Sequence, residues 1–238
     1  MKTMMHKVTI AALIACALNT SSNAANYVPI FVQDFETDNA NWFTPTRVSS
    51  GTGGITSASG SFHAVTSGTP FTRWGGYSSV FPTGGYTTSI QFYLAYGIAN
   101  NTRLDWSSAI SNTTGGHRRD FIFNLGYYND LGPGGNEQGF VVSASNNSGG
   151  SGWPKNPARD PFAFSGEGWY TFEHVFSDIA GQLSVTMNLL NSADTLLHSW
   201  TLSDPTDVIG STVGGNRYGW VAVNGFGTLA FDNTMLSV

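Results

Sequence analysis

The chain has 238 residues, 40% of them hydrophobic, 13% aromatic and only 11% charged. So many rings and so few charges exclude a disordered chain, and the scarcity of Glu, Lys and Arg excludes a coiled coil. Ten Lys and Arg against fifteen Asp and Glu give a net charge of −5, the wrong sign for a nucleic-acid-binding protein.

The chain opens on a targeting segment. Lys2 and Lys7 form a basic start, Val8 to Leu18 is an apolar run, and Ser22-Asn23-Ala24 offers small residues for cleavage after Ala24. The run is too short to span a bilayer as a helix, so residues 1–24 read as a secretory signal peptide and 25–238 as the mature domain. An alternative stays open. Leu13-Ile14-Ala15-Cys16 resembles a bacterial lipobox, which would remove residues 1–15 and leave a lipid anchor on Cys16. The two readings imply a secreted protein or an outer-membrane lipoprotein, with no transmembrane segment in the mature chain. Cys16 is the only Cys, so the folded part has no disulfide and no thiolate chemistry. Without residues 1–24 the balance is 8 − 15 = −7. That suits a calcium-binding or neutral-glycan-binding protein better than one that captures polyanions.

The mature chain alternates with period two almost throughout. Strands are expected near Ile30–Glu36, Ser61–Thr66, Tyr86–Tyr96, Arg119–Tyr127 and Gln138–Ser145. Further strands are expected at Gly168–Phe176, Gly181–Leu190, Thr195–Leu202, Arg217–Val223 and Thr228–Leu236. In the clearest of these, Leu183, Val185, Met187 and Leu189 share one face and Gln182, Ser184, Thr186 and Asn188 the other. Turn formers punctuate the pattern at Gly51-Thr-Gly-Gly54, Pro82-Thr-Gly-Gly85 and Gly132-Pro-Gly-Gly135. Asn191-Ser-Ala-Asp194 joins two strong strands and predicts a hairpin. Gly97–His117 and Asn146–Ser165 read as long polar connections, a length usually reserved for function. The expectation is one all-β domain, a two-sheet antiparallel jelly-roll sandwich of about ten to twelve strands.

Trp169-Tyr-Thr-Phe-Glu-His-Val-Phe176, Gly181-Gln-Leu-Ser-Val-Thr-Met187 and the hairpin after them resemble the central meander of the concanavalin A-like lectin/glucanase jelly rolls. Tyr218-Gly-Trp220 and Leu229-Ala-Phe-Asp-Asn233 are similar to that superfamily's last two strands. The opening Gln33-Asp-Phe-Glu36, with the closing Phe231-Asp-Asn233, resembles secreted bacterial carbohydrate-binding jelly rolls. The resemblance covers the mature chain as architecture. It implies a choice among lectins, binding modules, glycoside hydrolases, polysaccharide lyases and adhesion domains, and does not make that choice.

Three groups of residues could carry chemistry. Asp34, Glu36 and Asp38 would share a face if they lay in a strand. The resemblance makes such spacing a hydrolase feature, but its Glu-x-Asp-x-x-Glu type of signature is absent. A structural Ca²⁺ site built on Asp34, Glu36 and Asp232, or a plain surface turn, is the stronger reading. His117-Arg118-Arg119-Asp120 stands at a strand entry. Lyases of this fold use Tyr or His as base and Gln, Asn or Arg to neutralise a uronate carboxylate. His117, Arg118, Tyr127 and Gln138 are therefore the catalytic candidates, although the Arg-Thr-Glu, Gln-Ile-His and Tyr-Phe-Lys-Ala-Gly types of alginate lyase motif are missing. The competing reading has Arg118 and Arg119 anchoring a loop on an Asp or on carbonyls. His174, alternating with Tyr170, Phe172 and Phe176, reads as a buried histidine.

The third group is aromatic. Trp153 sits among Gly, Ser and Asn, Trp74 in Arg73-Trp-Gly-Gly-Tyr77, and Trp106 inside a long connection. Indoles stack on sugar faces while Asn and Arg bond hydroxyls, so Trp153, Trp74, Trp106, Arg118 and Asn156 are the ligand-binding candidates. A hydrophobic plug under a loop is the alternative. Trp169, Trp200 and Trp220 are placed in or beside the core. The leading expectation is a secreted or surface-anchored glycan-binding protein without an organic cofactor. A lyase or hydrolase of the same fold, and a non-catalytic matrix or adhesion protein, are the alternatives.

Overall fold

The structure, a computed structural model, describes residues 27–146 and 153–238. The expected signal segment and Cys16 lie outside the described residues. In chain order the strands are β1 (Pro29–Gln33), β2 (Trp42–Phe43), β3 (Thr46–Ser49), β4 (Phe62–Thr66) and β5 (Phe71–Thr72). Then come β6 (Tyr86–Leu94), β7 (Thr102–Ser111), β8 (His117–Leu131), β9 (Glu137–Ser145) and β10 (Phe162–Phe164). The last five are β11 (Gly168–Ile179), β12 (Gln182–Asn191), β13 (Leu196–Val208), β14 (Asn216–Asn224) and β15 (Leu229–Ser237).

These strands form a two-sheet antiparallel sandwich. The eight-stranded sheet has the order β13-β12-β11-β6-β15-β4-β3, with β1 also paired to β15. The seven-stranded sheet has the order β10-β9-β8-β7-β14-β5-β2. All ten expected strands are present, and the Asn191–Asp194 turn joins β12 to β13 as a hairpin. Five strands exceed the expectation: β2, β3, β5, β7 and β10. Four of them are only two to four residues long, too short to show a period. The fifth, β7, runs through the supposed polar connection Gly97–His117. Its outer positions Ser107, Ala109 and Ser111 are small and buried, so the contrast between a wet and a dry face, on which the alternation signal depends, is missing there.

The inner faces meet ring against ring. Phe92 of β6 lies edge-on to Trp106 of β7, and Phe172 of β11 edge-on to Phe123 of β8. Trp74 and Trp106 are 4% and 1% exposed, so both belong to the core. Neither is available to a ligand, which corrects their assignment as sugar-binding residues. Gly219 of β14 faces the same space, where an added Cβ would collide with the rings of Trp74 and Trp106. The two indoles fill the room that a side chain on β14 would otherwise occupy. His174 is also enclosed between the sheets, with Nε2 donating to the Phe121 carbonyl at 3.0 Å. Burial drops its pKa to about 3, so it sits neutral in the core.

Candidate functional site

With Gly219 and Val221 turned inward, the alternation of β14 sends Tyr218, Trp220 and Ala222 to the outer face of the seven-stranded sheet. Beside them, Phe71 of β5 pairs with Trp220 and Phe43 of β2 with Phe71. The rings of Phe43 and Phe71 are stacked at 4.3 Å. Thr69, Phe71, Arg73, Tyr77, Tyr218 and Trp220 line a depression of about 510 Å³. Tyr77 and Phe43 are 43% and 41% exposed, and a patch of uncovered rings is the kind of surface on which ligands are held. Two cations bracket these rings. Arg73 lies 5.4 Å from the Phe43 ring, 5.9 Å from Phe71 and 5.5 Å from Tyr77. Arg217 lies 4.9 Å from Tyr77 and 5.7 Å from Tyr218.

Next to the rings, on the same face, is a buried polar group. Asp120 receives the Ser107 hydroxyl at 2.9 Å, and His117 Nε2 lies 2.9 Å from its other oxygen. The Tyr218 hydroxyl is also bonded to Asp120, and His117 stacks on the Tyr218 ring at 5.9 Å. Burial first, then the Asp120 charge, pushes the Tyr218 pKa up to about 12. Tyr218 therefore holds its proton and serves as a donor.

The opposite end of this face carries a second set. Asn124 Nδ2 donates to Asp105 at 2.7 Å, and its Oδ1 accepts from the Ser145 hydroxyl at 2.9 Å. Burial raises the Asp105 pKa, against the Asn124 bond and the Arg103 charge. Arg103 lies 5.0 Å from the Trp153 ring, and Lys155 lies 3.8 Å from the Tyr128 ring and 3.1 Å from Asp130. The Trp153 carbonyl accepts from Ser143 at 3.2 Å, which pins this turn onto β9. Trp153 itself is 43% exposed, so among the three indole candidates it is the one at the surface.

The remaining candidates disperse. His117 and Arg118 begin β8, while Tyr127 lies ten residues further along the same strand, roughly 33 Å away at the usual rise. Tyr127 is enclosed in the core, with its hydroxyl donating to Gln138 at 2.7 Å. The four catalytic candidates therefore do not form one centre. Arg118 is a clamp. Its Nε donates to Asp207 at 2.7 Å and its Nη2 to Thr206, and Arg119 binds the same buried Asp207. Together they tie β8 to β13 of the other sheet. This corrects Arg118 as a ligand-binding or catalytic residue and matches the loop-anchor alternative. Asn156 caps the short 3-10 turn Pro157–Arg159, its Oδ1 accepting from Ala158 N at 3.0 Å.

The acidic residues are engaged by backbone amides. β1 ends at Gln33, so Asp34, Glu36 and Asp38 follow the strand in a bend that Phe35 takes at a φ of 60°. Asp34 accepts from Glu36 N, and Glu36 accepts from Ser61 N and Phe62 N at 2.9–3.0 Å. Asp232 accepts from Ala58 N and Asn233 N. Among the described residues no three His, Cys, Asp or Glu side chains form a group that could hold a metal. In this structure Glu36 and Asp232, part of the expected calcium set with Asp34, hold the amides of one loop, Ala58 to Phe62, from two sides.

Sequence reasoning missed Phe71, Tyr77 and Trp220 as surface residues. The available signal was Gly219 between two large aromatic residues. A glycine on the inward phase leaves Tyr218 and Trp220 on the outward phase.

No protein-family model and no curated protein matches the chain. Solved structures are similar to it over most of its length. One is the CBM2 module of the evolved Dit protein of Lactobacillus casei BL23 phage J-1, with 9% identity, 89% of this chain and 95% of that one covered, and a TM-score of 0.49. Another is lectin I from Ulex europaeus, solved with the methyl glycoside of α-L-fucose, with 11% identity, 87% and 96% covered, and a TM-score of 0.46. A seed lectin of Lotus tetragonolobus has 8% identity, 88% and 96% covered, and a TM-score of 0.46. Among the described residues no helix is long and apolar enough to cross a membrane.

Proposed function

We propose that this protein binds carbohydrate on the outer face of its seven-stranded sheet and is exported to do so, free or anchored through Cys16. The observation that carries the reading is the group of half-exposed rings, Phe71, Tyr77, Tyr218 and Trp220, around one depression. Pyranose rings present flat C–H faces that stack on such a surface, and donors at its edge bond the hydroxyls. Export is supported by Lys2, Lys7, the apolar run and the small residues Ser22-Asn23-Ala24. The experiment is affinity electrophoresis of the mature chain across a polysaccharide panel, with Trp220→Ala alongside. Retarded migration in at least one gel, lost in the variant while its melting temperature holds, supports the reading. Unretarded migration throughout overturns it.

A second reading rests on the Asp120 cluster. His117, Asp120 and Tyr218 place a ring nitrogen, a carboxylate and a protonated phenol at the edge of the same depression. With Nε2–H donated to Asp120, His117 keeps Nδ1 as a base and Tyr218 keeps a proton to give, the two roles a lyase or hydrolase needs. New ultraviolet absorbance or new reducing ends from any bound polymer, abolished by His117→Ala, would establish this reading. Unchanged polymer after long incubation would leave the binding role alone.

A further inference from the structure

We infer that the ligand is an acidic polysaccharide, whose carboxylate or sulfate groups are taken by Arg73 and Arg217 while its sugar rings lie on Phe71 and Trp220. The inference rests on the carbohydrate-binding reading and deepens it. It also reverses what the net charge alone suggests.

Residues 25–238 carry eight Lys and Arg against fifteen Asp and Glu, yet the cations are unevenly placed. Arg118 and Arg119 close on Asp207, and Arg47 bonds the Phe35 and Glu36 carbonyls beneath the Phe62 ring. Arg73, Arg103, Lys155 and Arg217 all lie on the outer face of the seven-stranded sheet, against its exposed rings. Lys155 is paired with Asp130. Arg73 and Arg217 form no ion pair among the described residues. They reach the Tyr77 ring at 5.5 Å and 4.9 Å, so two unneutralised guanidinium groups flank one ring.

The depression has no carboxylate in its lining. Asp120, bonded to the Tyr218 hydroxyl of that lining, is held by Ser107 and His117 as well. Arg217 gives one Nη1 bond to the Gly115 carbonyl, and its Nε is buried without a partner. An arginine fork matches carboxylate and sulfate oxygens two at a time, a geometry that lysine cannot supply. A neutral sugar's hydroxyls could accept from these N–H groups one at a time but would leave both positive charges without a counter-charge. Moreover, the chain as a whole repels polyanions, so any preference for them must be local.

The test measures affinity of the mature chain for two matched pairs of polymers: polygalacturonate and its carboxyl-reduced form, dextran sulfate and dextran. Within each pair the backbone is constant and only the charge differs. One charged polymer should bind at least about tenfold tighter than its neutral partner, and the preference should shrink with added salt. The pair that shows it separates carboxylate from sulfate. Arg73→Gln, and separately Arg217→Gln, should bring the ratio toward one without weakening the neutral polymer. Arg103→Gln, on the same face outside the depression, should not. Arg73 is exposed, so its variant keeps the test open if the Arg217 variant fails to fold. Equal affinity within both pairs, with Trp220→Ala weakening all binding, overturns the inference and leaves carbohydrate binding standing. Failure of all four polymers to bind overturns the inference, and the wider panel then decides the carbohydrate reading on its own.

Discussion

The two sheets present opposite kinds of outer face. On the eight-stranded sheet, polar side chains bond one another. Gln91 donates to Thr171 at 3.2 Å, Asn188 to Glu173 at 2.8 Å and Ser199 to Asn188 at 2.8 Å. Those polar groups have partners already, and the large apolar side chains most exposed on this sheet are aliphatic, among them Ile30 and Val32 of β1 and Leu196 of β13. On the seven-stranded sheet, rings stand uncovered, two arginines form no ion pair among the described residues, and Asp120 gathers three donors at one point. Both faces obey the same period of two. The difference lies in whether the outward groups satisfy one another or wait for a partner, and this directs the search for function to one side of the sandwich.

The largest effect should come from breaking what lies between the two faces. Trp106 is enclosed by Trp42, Trp74, Phe92 and His174. Trp106→Ala should cost about 3–5 kcal/mol, as other truncations of buried aromatics do. Trp220→Ala, on the outer face, should cost far less stability and lose the ligand. Urea unfolding of both variants checks the contrast. Equal stability losses would mean that Trp220 belongs to the core.

Acidity should sharpen the same division. Between His174's folded pKa of about 3 and its ordinary 6.5, the unfolded chain binds a proton that the folded chain refuses. His174 thus makes stability rise with pH, by up to about 1.4 kcal/mol per unit. Asp232, buried on the interior strand β15 of the eight-stranded sheet, behaves in the opposite way. Burial first, with the Glu36 charge adding to it, raises its pKa from 3.8 to about 7, against the amides of Asn233, Ser59 and Ala58. Here the folded chain holds the extra proton, and stability falls as pH rises through that interval. The two slopes oppose each other from about 4 to 6.5, so the whole protein should change little there. Asp232→Asn should uncover a rising profile and His174→Gln a falling one. Denaturant midpoints across this range decide it, and identical slopes in all three proteins would refute the assignment.

The sandwich was legible because ten strands bury one face and wet the other. The site was less so, for three physical reasons. Outward residues on β7 and β8 such as Ser107 and Asn124 are themselves buried, which erases the polar signal. β2 and β5 contribute Phe43 and Phe71 from strands of two residues. Trp74 and Trp106 sit in polar sequence and pack against the space that Gly219, distant in the chain, leaves open. A local window cannot see that pairing. Trp153 was readable because nothing in its own neighbourhood could cover it.

Trp153 supplies a more moderate test of the comparison. Its indole meets Arg103 and is 43% exposed, and its carbonyl fixes the turn to Ser143. Removing the ring should therefore leave stability within about 0.5 kcal/mol, as for surface substitutions elsewhere. If a polymer runs along the whole face from Trp220 to Trp153, Trp153→Ala should also lose about 1–3 kcal/mol of binding, most clearly for long chains. Short oligosaccharides that fill only the depression should bind the variant normally. Calorimetry with a length series reads both outcomes, and uniform losses at every length would contradict an extended site.

The smallest expected effect belongs to the opposite face. Thr186 and Thr201 lie side by side on β12 and β13, their hydroxyls 3.3 Å apart and open to water. A hydroxyl pair of this kind exchanges one hydrogen bond for bonds to solvent, so its net contribution is small. Thr186→Ala should shift stability by no more than about 0.5 kcal/mol and leave every polymer affinity unchanged. The second half matters more. A bulkier change there, Thr186→Arg, adds a cation and a long side chain to the eight-stranded sheet without touching the other. If binding stays the same, the ligand does not visit this face. A gain or loss of affinity in either variant would show that the two faces share the work and would undo the contrast from which the proposed function was drawn.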